Sequence, residues 1–253
     1  MRLMFFLLFA MLACFVRAAE LNDTGITLCA SSAGANETCN ASHPLRQDAR
    51  HGRDALPDLP KTGGGMAGFD FDALDSAGNK TSPSTGATPH PCVRDNVTDL
   101  VWEVKTNDGG LRDMNWTYTW YDSVKKYSND SYTGLADATD CLPGAQCAGC
   151  FRKGRCDTEK YVQDVNTEGI CGYKDWRMPT LKELESIAHL GRNSTPAIDT
   201  NYFPNTRDFY WSSTRFAVRS AFATWELDFA QGNARDAYSS SPKSVRLVRG
   251  TWK

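Results

Sequence analysis

Apolar and polar positions change period along this chain, and the changes mark its elements. In Thr224-Trp-Glu-Leu-Asp-Phe229 apolar and acidic residues alternate, which predicts a strand. Trp225, Leu227 and Phe229 would face a core, with Glu226 and Asp228 on a solvated outer face. Gly232-Asn233 signals a turn, and 244–249 predicts a last strand. That strand would carry Val245 and Leu247 on one side and leave Arg246 and Arg249 for pairing. Upstream, 93–104 reads as two short strands around the turn Asp95-Asn-Val-Thr-Asp99. A helix is predicted over 117–127, with Trp120, Val124 and Tyr127 on one face. A second follows Asp157 as N-cap, carries Tyr161, Val162 and Val165, and ends near Gly169. The densest pattern is Cys171-Gly-Tyr-Lys-Asp-Trp-Arg-Met-Pro-Thr-Leu-Lys-Glu-Leu184. Thr180 and Glu183 form the T-x-x-E of a capping box, and Leu181, Leu184, Ile187 and Ala188 recur at helical spacing over 181–190. Helices first and antiparallel strands last predict an α+β domain with short helices.

The first 18 residues read as an export signal: a short positive start, an apolar run, and Val16-Arg17-Ala18 at the cleavage positions. A lipoprotein signal ending at Cys14 is the alternative. No later stretch is long and apolar enough to cross a bilayer, so the mature chain is expected in the periplasm, at the cell surface or outside the cell. Residues 19–91 are poor in core formers and rich in Gly, Ser, Thr, Asn, Asp and Pro, and read as an irregular extension. Only Phe69-Asp-Phe71 with Leu74 could dock on a core there, and Cys29 with Cys39 could close a small loop. Residues 92–253 suffice for one buried core and hold all seven tryptophans.

Nine cysteines are encoded; without Cys14 the number is even, which suits disulfides in an oxidising compartment. Zinc at Cys147-Ala-Gly-Cys150, flanked by Cys141 and Cys156, is the sharper but less favoured reading. The net charge of −2 points away from a nucleic-acid partner. The stretch 207–253 is locally basic, with eight Lys/Arg against four Asp/Glu, and reads as a solvated face or a patch for a sulfated or carboxylated polymer. Catalytic constellations are missing. His43, His51 and His90 lie in the extension, leaving His189 alone in the domain, and no serine sits in a nucleophile motif. Ser212 and Ser213 read as hydroxyls bonding backbone beside a buried Trp211. No metal or other cofactor is expected.

Four segments together resemble the Lcl-C family, the C-terminal domain of the Legionella collagen-like adhesin. They are Cys92-Val-Arg-Asp-Asn-Val-Thr-Asp-Leu-Val-Trp-Glu-Val-Lys105, the segment from Cys171 to Leu184, Tyr210-Trp-Ser-Ser-Thr214, and Ser244-Val-Arg-Leu-Val-Arg-Gly250. Trp120-Tyr121-Asp122 matches a similar Trp-Tyr-Asp of the family. Asp99 departs from it, standing where a glycine is usual, and the 135–155 loop is unusually rich in cysteine. The resemblance implies an exported bacterial domain, disulfide-braced and C-type-lectin-like. From the adhesin it implies trimerisation and binding of sulfated glycosaminoglycans. A protein partner in an envelope assembly is the alternative, and an enzyme of the sulfatase-activating lectin-like type the third. Scaffold roles are expected for Cys92, Cys141, Cys147, Cys150, Cys156, Cys171, Trp176, Arg177, Thr180, Glu183, Trp211 and Arg246, with Cys171 stapling the loop before it. Eight Asn-x-Ser/Thr sequons are present, and are incidental if the source is bacterial, as the resemblance implies.

Overall fold

A computed structural model describes residues 22–124, 133–136, 149–216 and 222–252, apart from positions 35, 44, 45, 57 and 59. The expected export signal, Cys14, Tyr127, Cys141 and Cys147 lie outside the described residues. In chain order the elements are β1 (Cys29–Ala30), β2 (Asn36–Glu37), α1 (Asp48–His51), a 3-10 turn (Arg53–Ala55), β3 (Phe71–Leu74) and β4 (Lys80–Thr81). Then come β5 (Cys92–Asp95), β6 (Val101–Glu103), α2 (Thr158–Glu168), α3 (Leu181–Glu185), β7 (Phe209–Arg215), β8 (Ala223–Asp228), β9 (Asn233–Tyr238) and β10 (Val248–Arg249).

A five-stranded antiparallel sheet runs β10-β6-β5-β3-β4. The expected pair around 95–99 is β5 and β6. Its turn is made by Asp95, whose carboxylate accepts the Val97 and Thr98 N–H groups and the Thr98 hydroxyl. Asp99 takes φ 65° there, the left-handed conformation that Asp tolerates better than most residues. The docking expected of Phe69, Phe71 and Leu74 goes further than contact. β3 pairs with β5 in register from Phe71↔Asp95 to Leu74↔Cys92, so residues before 92 supply an interior strand of the sheet. Phe69 and Phe71 are buried in the core with Trp102, Leu184, Phe203 and Leu227. The Cys29–Cys39 disulfide closes the small loop carrying β1 and β2.

The second sheet is β7-β8-β9, antiparallel, with the β8–β9 turn at Gly232 in a left-handed conformation. The run 244–249 joins the two sheets: Ser244 bridges Tyr210 beside β7, and β10 pairs with β6. Only β10 of that run is regular strand, and Arg246, expected to be available for pairing, is buried together with Val245 and Leu247.

Three sequence expectations change. Residues 117–121 are extended, not helical: Tyr118 N–H bonds Lys243 O and Trp120 N–H bonds Ser239 O. The β-branched and aromatic run Trp-Thr-Tyr-Thr-Trp-Tyr favours this, and tertiary pairing overrides the helical spacing. Val124, expected on the buried face, is 82% exposed. The α3 helix ends five residues early, because the backbone N–H groups of His189 and Leu190 are taken by Ala197 O and Thr24 O. Glu226 and Asp228 are buried, not solvated: Phe209 lies beside their partners, Lys243 and Arg235, which pair with them at 3.0 and 3.1 Å. Leu227 and Phe229 face the core as expected, while Trp225 is half-buried against Phe216.

Candidate functional site

The segment from Cys171 to Leu184 builds one corner. Its capping box is complete: the Thr180 hydroxyl accepts Glu183 N–H at 3.2 Å and the Glu183 carboxylate accepts Thr180 N–H at 2.7 Å. Arg177 grips the same carboxylate with both Nη atoms, at 2.9 and 2.6 Å, and donates to Gly250 O at 3.0 Å. Burial works against the Glu183 charge, but Arg177 and the Thr180 donors outweigh it and hold the carboxyl below its usual range. Backbone bonds between Arg177 and Val248 run both ways, at 2.9 and 3.0 Å, so this corner extends the five-stranded sheet beyond β10. Trp176 is buried, and Asn166 of α2 clamps its backbone N–H and C=O.

Cys171 bonds Cys92, not the loop before it. The disulfide ties the turn after α2 to β5, and the loop residue Cys150 pairs instead with Cys156. Those two sulfurs are therefore not zinc ligands here.

Beside the corner opens a cleft of about 430 Å³. Trp120 and Tyr121 form one wall, Val162 with the first turn of α2 a second, and Met178 a third. Its polar groups are Asp122, Glu159, Arg177 and the hydroxyl residues Thr158, Thr180 and Ser213. The sequence places all three walls on separate segments, and their meeting was not legible in it. Asp122 and Glu159 are also anchors, accepting the N–H groups of Val124 and Ser123 at 3.0 and 2.7 Å.

Under the sheets lies a buried ionic cluster that pattern reasoning missed. Lys105 Nζ donates to Glu103 at 3.1 Å and to the Tyr161 hydroxyl at 2.8 Å, and that hydroxyl also bonds Glu103. The remaining Glu103 oxygen accepts Leu247 N–H at 2.9 Å. Glu103, the last residue of β6, and Lys105 are two apart in the chain, and that spacing was the available signal. Burial pushes Lys105 down and Tyr161 far up. Arg246 is fully buried, its guanidinium 5.1 and 5.0 Å from the Phe203 and Tyr210 ring centres, and it donates to Thr206. Trp211 is buried, with its indole N–H on Tyr118 O, and Ser212 donates its hydroxyl to Trp225 O.

The 207–253 cations do not form a free basic face among the described residues. Arg235, Lys243 and Arg249 pair with Asp228, Glu226 and Asp175, and Arg246 is interior. His189 is buried beneath Gly25 and beside Phe69, away from the cleft walls. A cluster absent from the sequence reading joins Asp23, Asp48 and Asp54, whose oxygens lie within 4.8 Å of one another. Thr24 and the N–H groups of Gly25 and Asp54 bond into it.

The molecule is thus an α+β protein of short helices and antiparallel sheets, with three disulfides among the described residues. Residues 91–249, well over half the chain, match the family model of the Lcl C-terminal domain, and the chain belongs to that family. No curated protein matches it. No helix among the described residues is long and apolar enough to cross a membrane.

Proposed function

We propose that this chain is an exported, non-catalytic binding module with a C-type-lectin-like domain, and that its ligand is a glycan seated in the cleft beside Trp120. The cleft carries the reading. Its half-buried Tyr121, Met178 and Val162 side chains, backed by the buried Trp120, suit the apolar faces of sugar rings, and Asp122, Glu159, Thr180 and Ser213 supply hydrogen-bonding groups for hydroxyls. The rim favours a neutral or amino sugar over a sulfated one: two carboxylates stand at it, and Arg177 is already committed to Glu183. Disulfides and membership of an adhesin-type family support export and a binding role.

A glycan array and heparin chromatography with the folded protein test this. Retention on neutral or amino-sugar glycans, lost in Val162→Glu while its circular dichroism shows the folded state, is the expected result. Retention on heparin that Val162→Glu leaves intact would move the site elsewhere, and binding to no glycan would leave the protein-partner reading.

A further inference from the structure

Eight of the thirteen asparagines in this chain stand in Asn-x-Ser/Thr sequons. With 40 Ser and Thr among 253 residues, random placement would give about two. The excess is large enough to reverse the incidental reading of these motifs. We propose that the chain is N-glycosylated during export, at Asn36, Asn40 and Asn79.

The structure sorts the sequons. Asn36, Asn40 and Asn79 are exposed, and so are the hydroxyl residues two positions on, Thr38, Ser42 and Thr81. Asn40 uses only its carbonyl oxygen, which accepts the backbone N–H and hydroxyl of Ser42 at 2.9 and 2.5 Å. Its amide nitrogen has no hydrogen bond among the described residues, and neither has that of Asn36. The Asn79 amide makes one long contact, 3.5 Å to Asp75.

Asn22 and Asn96 are the opposite case. Both are half-buried. Asn22 donates to Asp95 at 2.7 Å and Asn96 to Asp70 at 3.0 Å, and both of those acids are buried. Thr98, the hydroxyl residue of the Asn96 sequon, is fully buried as well. A sugar at either position has no room in this fold. Asn115 is exposed but commits its amide to two acceptors, Asn107 and Asp113. Asn193 is exposed, but Pro196 directly follows its Thr195 and restricts that residue's backbone. Asn129 lies outside the described residues.

The transfer is a substitution with no redox step. The asparagine Nδ2 bonds to the anomeric carbon of an oligosaccharide carried on a lipid diphosphate. The bond from that carbon to the diphosphate oxygen breaks, the lipid diphosphate leaves with the electron pair, and one amide proton passes to a base of the transferase. A glycosylated asparagine keeps one N–H, which is why Asn115, with both in use, is set apart.

The placement has a physical consequence. Asn36 borders a groove where Leu28 and Leu190 are 44% and 45% exposed, an apolar patch that a glycan would shield. None of the seven described sequon asparagines lines the cleft beside Trp120.

The test uses the protein isolated from the cells that make it. Peptide N-glycosidase digestion in heavy-oxygen water converts each occupied asparagine to a mass-tagged aspartate, which peptide mapping locates. Tags at Asn36, Asn40 and Asn79 and none at Asn22 or Asn96 are expected. In the same cells Asn36→Gln, Asn40→Gln and Asn79→Gln should each lower the mass of the secreted chain by one glycan. A secreted chain with the mass of the bare polypeptide overturns the proposal, as do tags at Asn22 or Asn96 as frequent as at the other three. Neither outcome bears on glycan binding in the cleft, which the array reads separately.

Discussion

Trp120 and Trp211 are locked to each other's segments. The Trp120 indole N–H donates to Ser212 O at 2.9 Å, and the Trp211 indole N–H donates to Tyr118 O at 2.8 Å. Each tryptophan thus satisfies a carbonyl of the other's segment, and the pair ties the Trp120 wall of the cleft to β7. Replacing either by Phe removes one buried hydrogen bond and leaves a carbonyl without its donor. Trp211→Phe and Trp120→Phe should each lower stability by about 1–3 kcal/mol in denaturant titration. Trp120→Phe should also weaken ligand binding at the cleft, whereas Trp211→Phe should not. Equal binding losses for the two would show that the effect is general loosening of the fold.

Arg177 stands at the edge of the cleft, but its bonds go to Glu183 and to the Met178 and Gly250 carbonyls. Arg177→Ala leaves the largely buried Glu183 carboxylate without its cation, and the expected cost is about 1–3 kcal/mol. The Glu183 carboxyl is held below its usual range by that partner. Its stabilisation is therefore present above the unfolded carboxyl pKa and fades as pH falls through the folded one. Thermal melts of wild type and Arg177→Ala should differ at pH 7 and converge in strong acid. Unchanged melting with lost ligand binding would make Arg177 a contact residue and not a scaffold one.

Asp95 has the opposite sign. Burial raises its carboxyl to about 6, although Thr98, Val97 and Asn22 all donate to it. Between the ordinary Asp value of about 4 and that raised value, the folded protein binds more protons than the unfolded chain. This residue's contribution to stability therefore falls as pH rises through that window, by about 3 kcal/mol. Carboxyl-detected NMR should place the Asp95 midpoint near 6. The stability of wild type relative to Asp95→Asn should grow as pH is lowered from 7 to 4. A midpoint below 4 would mean that the four donors outweigh burial.

Legibility in the sequence followed the range of the interaction. The capping box of Thr180 and Glu183, the Asp157 and Gly169 caps and the left-handed Asp99 are each set within a few residues, and each was readable. The helix expected over 117–127 failed because its backbone partners, Lys243 and Ser239, lie more than 100 residues away. Local spacing points Cys171 to its neighbouring loop, but its partner Cys92 lies 79 residues away. Trp176, Trp211 and Arg246 are all buried, and for Arg246 this replaces the pairing expected of it on the last strand. The cleft was not, since Trp120, Val162 and Met178 meet only through the packing of three separate segments.

The Glu103–Lys105–Tyr161 cluster is buried throughout, and its members fail unequally when changed. Glu103 serves three donors at once: Lys105, Tyr161 and the Leu247 N–H. Glu103→Ala strands all three and leaves the Lys105 ammonium buried beside Arg112 and Arg246 without its anion. That loss should cost about 3–5 kcal/mol, as for other buried pairs broken on one side. Lys105→Met removes the cation whose charge burial already disfavours. It leaves Glu103 with the Tyr161 hydroxyl and the Leu247 N–H, and the nearby Arg246 still balances its charge. Its cost should be clearly smaller, within about 1–3 kcal/mol. Urea titration of the two variants checks the order. A Lys105→Met loss equal to that of Glu103→Ala would show that the ammonium, and not the carboxylate, organises the cluster.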